Sequence, residues 1–312
     1  MQIKMNKKTA KSILYTKDKF FWKGFDFMYK TVSVIGGDLR QLTLAKMLSQ
    51  EGYLVSVYGF GKDSLSENYN AEKDIQKAVC ADVIILPVPV TLDSKKLNAP
   101  FHEETIALKE LSDIIKKDSL VLGGRISKEV YDLFEGYKII DYYKREELMI
   151  KNAVPTAEGA IEIAMGETPV TISDSRCLVV GYGRIGKVLS RLLQGLGADV
   201  YVSARKYSDL AWADVWGYRA IHNDEIKDCI QKQDVIFNTV PALILDEDIL
   251  KRINPDSVII DLASKPGGVD FQKAKDLGLK VIWALSLPGK CAPITSGKII
   301  KETITNILKE EG

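Results

Sequence analysis

A chain of 312 residues is long enough for two domains, and 46% apolar with 27% charged residues is the balance of a globular protein. The 43 basic side chains against 42 acidic leave a net charge of +1, which excludes a strongly basic nucleic-acid binder and an acidic scaffold. No apolar run approaches the roughly 18 residues of a membrane span.

Met1 to Lys30 carry eight lysines and two aspartates, with aromatics at Phe20, Phe21, Trp22, Phe25 and Phe27. There is no continuous apolar segment and no small-residue cleavage site, so this is not a signal peptide. Residues 1–27 read as a basic extension: disordered, a translated leader ahead of a start at Met28, or a basic-aromatic patch that docks on a membrane or partner.

Residues 28–152 form the first α/β unit. Thr31 to Ile35 is a strand that ends in Gly36-Gly37-Asp38, and a helix from Leu39 to Gln50 follows, stopped by Gly52. Strands recur at Leu54 to Tyr58, Val83 to Leu86, Leu120 to Leu122 and Lys138 to Ile140, with helical patterns at Glu103 to Lys116 and Lys128 to Phe134. Such alternation predicts a doubly wound parallel sheet. Gly36-Gly37-Asp38 is similar to a nucleotide turn, but Gln41 stands where a third glycine belongs. It reads better as a substrate-facing loop at the carboxyl end of a strand.

Pro155 to Met165 reads as a linker helix with Pro155 in its first turn. Residues 153–292 then hold the second unit. Leu178 to Val180 reads as a buried strand, breaking into Gly181-Tyr182-Gly183-Arg184-Ile185-Gly186 before a helical run from Lys187. Gly181 permits the tight turn, Gly183 lets backbone approach a pyrophosphate, and Gly186 lets the helix pack closely. The N–H groups at the helix start then face the phosphates. Strands continue at Asp199 to Ala204, Val235 to Val240, Val258 to Ala263 and Val281 to Ala284. Residues 293–312 form an amphipathic helix expected to pack back on the first domain. The fold class is therefore α/β: two doubly wound parallel-sheet domains, the second a Rossmann dinucleotide-binding domain, joined by two helices.

The end of the second strand of the Rossmann unit points to NADP as cofactor. An NAD site places Asp or Glu there, whereas this chain has Ser203-Ala204-Arg205-Lys206. Ser203 can bond a 2′-phosphate, and Arg205 and Lys206 can neutralise it. Thr239, Val240 and Pro241 lie under the nicotinamide side. The cations Arg40, Arg125, Lys265 and Lys290 fall at strand ends and suit a substrate with two carboxylates; Lys265 is best placed, before a glycine-rich turn. Asp38 lies beside Arg40, and Asp261 either anchors the turn or does acid–base work. Glu158 is either a base or a partner of a helix dipole. His102 and His222, the two histidines of the chain, follow none of the nicotinamide-side strands, which speaks against a histidine-assisted hydroxy-acid dehydrogenase and for an aromatising dehydrogenation. Cys80, Cys177, Cys229 and Cys291 are too widely spaced for a metal-ligand pattern; Cys80 and Cys177 border apolar strands and read as reduced core residues of a cytoplasmic protein.

The sequence from Met28 to Gly312 resembles the A-subunit family of dipicolinate synthase. The marks are Val34-Ile35-Gly36-Gly37-Asp38-Leu39-Arg40-Gln41, Pro155-Thr156-Ala157-Glu158-Gly159, the cofactor turn, Asp261 to Phe271, and Leu287-Pro288-Gly289-Lys290-Cys291-Ala292-Pro293. The resemblance implies a flavoprotein-like partner, the dipicolinate synthase B-subunit. It also implies oxidation of a dihydro- or hydroxytetrahydrodipicolinate to pyridine-2,6-dicarboxylate with NADP⁺, in the mother cell of a sporulating bacterium. Lys265 and Arg40 are then expected to hold the carboxylates, with Asp38 and Glu158 as further catalytic candidates. Two alternatives stay open: another NADP-dependent dehydrogenase of shikimate or hydroxy-acid type, and a non-catalytic NADP-binding regulatory protein. Homo-oligomerisation is also open.

Overall fold

The computed structural model describes residues 29–61 and 70–311. The basic extension expected at residues 1–27 lies outside the described residues.

Val32, Val34 and Ile35 are wholly buried in β1 (Thr31–Ile35), the centre of the first sheet. Around it run β2 (Leu54–Tyr58), β3 (Asn70–Ala71), β4 (Val83–Ile85), β5 (Leu120–Gly123) and β6 (Lys138–Asp141). All pairings are parallel, in the order β3-β2-β1-β4-β5-β6. Helices α1 (Leu39–Gln50), α2 (Ile75–Ala78), α3 (Leu108–Ile114) and α4 (Lys128–Leu133) connect the strands.

The second domain repeats the plan with β7 (Arg176–Val180), α6 (Arg184–Gly195), β8 (Asp199–Ala204), α7 (Tyr207–Val215), β9 (Arg219–His222), β10 (Val235–Asn238), α8 (Glu247–Leu250), β11 (Val258–Asp261), α9 (Phe271–Asp276) and β12 (Lys280–Trp283). Its parallel order, β12-β11-β10-β7-β8-β9, is the same topology read from the other side. This is the strand order of dinucleotide-binding folds, in which ligands sit beyond the carboxyl ends of the strands.

Helix α5 (Glu146–Glu167) joins the domains. After β12, α10 (Leu287–Cys291) leads into α11 (Pro293–Glu311), which returns to the first domain. Its Ile299, Ile300, Ile304 and Ile307 share a core with Val32, Val34, Leu44 and Leu48. Lys151 pairs with Glu302 at 2.5 Å and Arg145 bonds Glu310 through both terminal nitrogens, so α11 is tied to α5 and to the turn before it.

Four expectations are corrected. The linker helix begins at Glu146, and Pro155 is interior and buried. Proline removes one amide bond there, but Ala157, Ala160 and Ala164 pack on the second-domain core, and that burial outweighs propensity. Helix α3 begins at Leu108 because the chain before it pairs with another loop: Leu97 N–H donates to Ile106 O at 2.9 Å and Leu108 N–H to Lys95 O at 2.9 Å. Strands β3 and β9 were not foreseen; both are edge strands without an apolar run. Cys80 is exposed after α2 rather than in the core, whereas Cys177 is buried and its thiol is pushed up to about 11 by burial.

Candidate functional site

Two contacts bring together segments that follow the carboxyl ends of both sheets. Arg184, opening α6, pairs with Glu146 of α5 at 2.6 Å. Gly289 of α10 lies against Arg40, where a Cβ would stand 3.0 Å from Nε.

The glycine turn after β7 is shaped by contact and by space. Gly181 has φ of +95°, and a Cβ there would meet Thr239 Oγ1 at 2.5 Å. A Cβ on Gly186 would stand 2.0 Å from the Gly181 carbonyl oxygen, so α6 is pressed onto the turn itself. Gly183 has no atom within 4 Å of where its Cβ would stand. It is the N-cap of α6 and makes no side-chain cap bond, leaving the helix N-terminus open to an anion. Thr239 Oγ1 donates to Val180 O at 2.9 Å, tying β10 to the turn. Val240 is half-buried, Pro241 is exposed, and Ile185 packs on the domain core. These residues fit a nicotinamide dinucleotide.

At the end of β8, Arg205 and Lys206 are exposed and no carboxylate follows Ala204. His222 Nε2 lies 3.2 Å from the Arg205 carbonyl, and its ring stacks on Tyr207. Ser203 is corrected: its side chain shares a face with Tyr201, not with Val202 and Ala204, and its Oγ is shut off inside the protein without a bonding partner. It cannot reach a phosphate at the strand end.

The equivalent turn of the first domain is filled. Asp38 caps α1, accepting from Arg40 N–H at 2.9 Å, and buried Gln41 returns its Oε1 to the Asp38 amide at 3.2 Å. The Gln41 side chain occupies the space beside Gly37. A carboxylate therefore sits where a phosphate would, and this turn is not a nucleotide site. Arg40 is committed as well. Its Nε and Nη2 grip the Asp38 carboxylate, at 2.9 and 2.7 Å, and Nη2 also donates to Val88 O at 2.7 Å. Burial alone lowers the guanidinium pKa, but the bond and charge of Asp38 outweigh it and the net shift is upward.

Asp261 is an anchor. Wholly buried, it accepts from Asn238 Nδ2 at 2.8 Å, Ala263 N–H at 3.0 Å and Gly268 N–H at 2.9 Å, which holds the loop carrying Lys265. Lys265 is exposed and makes no ion pair among the described residues. Lys290 is exposed in α10. Glu158 is exposed midway along α5, far from the helix N-terminus, so the dipole reading fails.

The role of Asn238 and the strained backbone of Arg125, a cation already named from the sequence, escaped sequence reasoning. Asn238 spans the ends of β10 and β11, also donating to Val240 O at 3.0 Å. Arg125, after β5, has φ of +55°, a left-handed backbone rare outside glycine. Asp141 holds it there, accepting from the amides of Arg125 and Ile126 at 3.0 and 3.1 Å. The exposed guanidinium lies 5.6 Å from the Tyr143 ring centre and makes no ion pair among the described residues. A polar residue at the end of an apolar strand is the signal that marks both Asn238 and Asp141.

Residues 31–143 match the model of the N-terminal domain of the dipicolinate synthase A-subunit. Over 289 residues, 89% of this chain and 96% of the relative, the sequence is 33% identical to the dipicolinate synthase A-subunit of Bacillus subtilis (strain 168). The chain belongs to the A-subunit family of dipicolinate synthase. Residues 155–267 match the NAD binding domain of D-isomer specific 2-hydroxyacid dehydrogenases, the domain of a nicotinamide-dinucleotide oxidoreductase. The crystal structure of the A-subunit from Bacillus halodurans is similar with a TM-score of 0.83 and 31% identity, covering 89% of this chain and 97% of that one. A transhydrogenase from Sinorhizobium meliloti shares the fold at a TM-score of 0.67 and 15% identity, over 89% of this chain and 94% of that one. Among the described residues no helix is long and apolar enough to cross a membrane, and no cluster of metal ligands occurs.

Proposed function

We propose that this chain is the NADP-dependent dehydrogenase component of a dipicolinate synthase. It oxidises dihydrodipicolinate, formed by loss of water from its hydroxytetrahydro precursor, to pyridine-2,6-dicarboxylate, giving up a hydride to NADP⁺ and a proton to solvent, in the cytoplasm of a sporulating mother cell, together with the flavoprotein-like B-subunit. The observation that carries this reading is the pair of exposed cations, Arg205 and Lys206, beside an open helix N-terminus in a chain of this family. When bound, the dinucleotide supplies the hydride acceptor.

The remaining work falls to the chain. Gly183 and the first amides of α6 receive the pyrophosphate, and Arg205 and Lys206 receive the 2′-phosphate. Lys265 and Arg125, which like Lys290 have no carboxylate partner among the described residues, hold the two substrate carboxylates; Arg40, already neutralised by Asp38, shapes the cleft wall. Aromatisation drives the loss of hydride, so positioning the ring outweighs general-base catalysis, and Glu158 need not act.

Calorimetry and steady-state kinetics test the reading. Arg205→Ala is expected to weaken NADPH by about 10- to 100-fold and leave NADH unchanged. Lys265→Ala and Arg125→Ala are expected to raise KM for the diacid without altering NADPH affinity. Equal affinity of the wild-type chain for NADPH and NADH would remove the NADP assignment, and turnover of a 2-hydroxy acid by the chain alone would favour the hydroxy-acid reading.

A further inference from the structure

Helix α7 and the residue after it carry large apolar side chains that the fold leaves uncovered. Tyr207 is 78% exposed, Val215 73%, Trp212 56% and Trp216 51%. Between α6 and α7 lies an open groove of about 370 Å³. Tyr182 and Tyr218, both buried, meet edge to face on its floor with ring centres 6.3 Å apart. Trp212 and Trp216 form its wall. Lys187 and Arg191, one turn apart on α6, complete the lining: the Lys187 ammonium lies 5.6 Å from the Tyr182 ring centre and the Arg191 guanidinium 5.8 Å from that of Trp216. Arg191 bonds Gln194 at 3.0 Å, and among the described residues neither cation makes an ion pair.

Trp, Tyr and Arg are the residue types that dominate binding energy at protein interfaces, above all around a concave centre from which water is expelled. Two neighbouring indoles left half in water mark a surface with an occupant. The composition also says what the occupant brings. Apolar area must fill the space between the indoles, and carboxylates must meet two cations without acidic partners. A two-fold contact centred on this groove would crowd Lys187 and Arg191 of both copies into one patch, which costs free energy. The relatives are each named as one component of a multi-chain synthase, so a different chain is at hand.

We propose that this groove docks the companion chain of the synthase, through a segment that inserts an apolar side chain between Trp212 and Trp216 and sets a carboxylate on Lys187 and Arg191. The proposal rests on the two-component reading above. Its location gives it a consequence for the cofactor. Tyr182 stands between Gly181 and Gly183, α6 begins the pyrophosphate site, and α7 follows Arg205 and Lys206. Docking bears on the far side of both segments that grip the dinucleotide, so the affinities for partner and dinucleotide are linked reciprocally.

The test titrates the full-length chain with the purified B-subunit, with and without NADPH. The double variant Trp212→Ala, Trp216→Ala is expected to weaken the companion by at least about 30-fold. Arg191→Glu is expected to weaken it by about 10-fold and to flatten its dependence on salt. Both keep the wild-type Tm and, without the companion, the wild-type NADPH affinity. In the wild type, saturating companion shifts NADPH affinity by at least about five-fold. Unchanged companion affinity in the folded double variant overturns the docking site, and so does a self-association that the double variant abolishes. No association of the wild-type pair overturns the two-component reading and the proposal with it. An NADPH affinity indifferent to the companion overturns the linkage.

Discussion

At the foot of β1, Asp82 accepts from the amides of Lys30 and Thr31, both at 2.8 Å; at the foot of β7, Asp234 accepts from the amide of Arg176 at 2.7 Å. One strand further on, Ser119 Oγ donates to Ala81 O at 2.7 Å, and Ser257 Oγ donates to Gln233 O at 2.6 Å. The two domains thus pin the amino-terminal edges of their sheets with the same residue types at equivalent positions. Their carboxyl edges diverge. After β7 the turn is closed on one side by Gly186 and open at Gly183. After β1 the Asp38 carboxylate and the Gln41 side chain already occupy the anion position. Equal topology does not make equal sites; what stands at the third glycine position decides whether a helix N-terminus receives a ligand or its own side chains.

The largest expected effect breaks the open turn. In Gly186→Ala the methyl group cannot coexist with the Gly181 carbonyl 2.0 Å away, so the turn must shift. Dinucleotide affinity is expected to fall by at least about 100-fold, roughly 2.7 kcal/mol. Calorimetry on the folded variant reads this, and near-normal binding would mean that the close approach is dispensable.

A smaller effect is expected at the filled turn. Asp38→Ala removes an N-cap and leaves Arg40 half-buried without its charge partner. Stability is expected to drop by about 1–2 kcal/mol, with dinucleotide affinity unchanged. Thermal unfolding measures the first quantity and titration the second; a parallel loss of dinucleotide affinity would contradict the assignment of this turn as a cap.

The smallest effect belongs to the shared feet of the sheets. Burial pushes the Asp82 carboxyl up, but the amide bonds from Thr31 and Lys30 outweigh it and hold it below its ordinary 3.8. A depressed folded value contributes stability above the unfolded value, lost as pH falls from 3.8 through the folded value. Asp82→Asn is therefore expected to be slightly less stable than wild type at pH 7 and to match it in acid. Denaturation curves at both pH values check the sign; a deficit that grows in acid would refute it.

Most strands were legible because a parallel sheet covered on both faces demands continuous apolar runs, as in Val83 to Leu86 and Val258 to Ile260. The edge strands β3 and β9 were not, since they carry no such run and exist through pairing with β2 and β8. Within the site, the glycine turn could be read from spacing, but side-chain direction could not. Ser203 faces inward because alternation along β8 is set by its pairing with β7.

The sequence by itself determined the α/β class, the two-domain order, the position of the open turn and the basic strand end beside it. These follow from local rules: periodicity, glycine geometry, and the residue types next to a strand. Only tertiary structure decided which charges are free. Arg40 and Asp38 neutralise each other, Asp261 commits its oxygens to one loop, and Arg125 and Lys265 are left without carboxylate partners among the described residues. The availability of a charge depends on what the folded chain sets within hydrogen-bond reach, and spacing along the chain does not encode that distance.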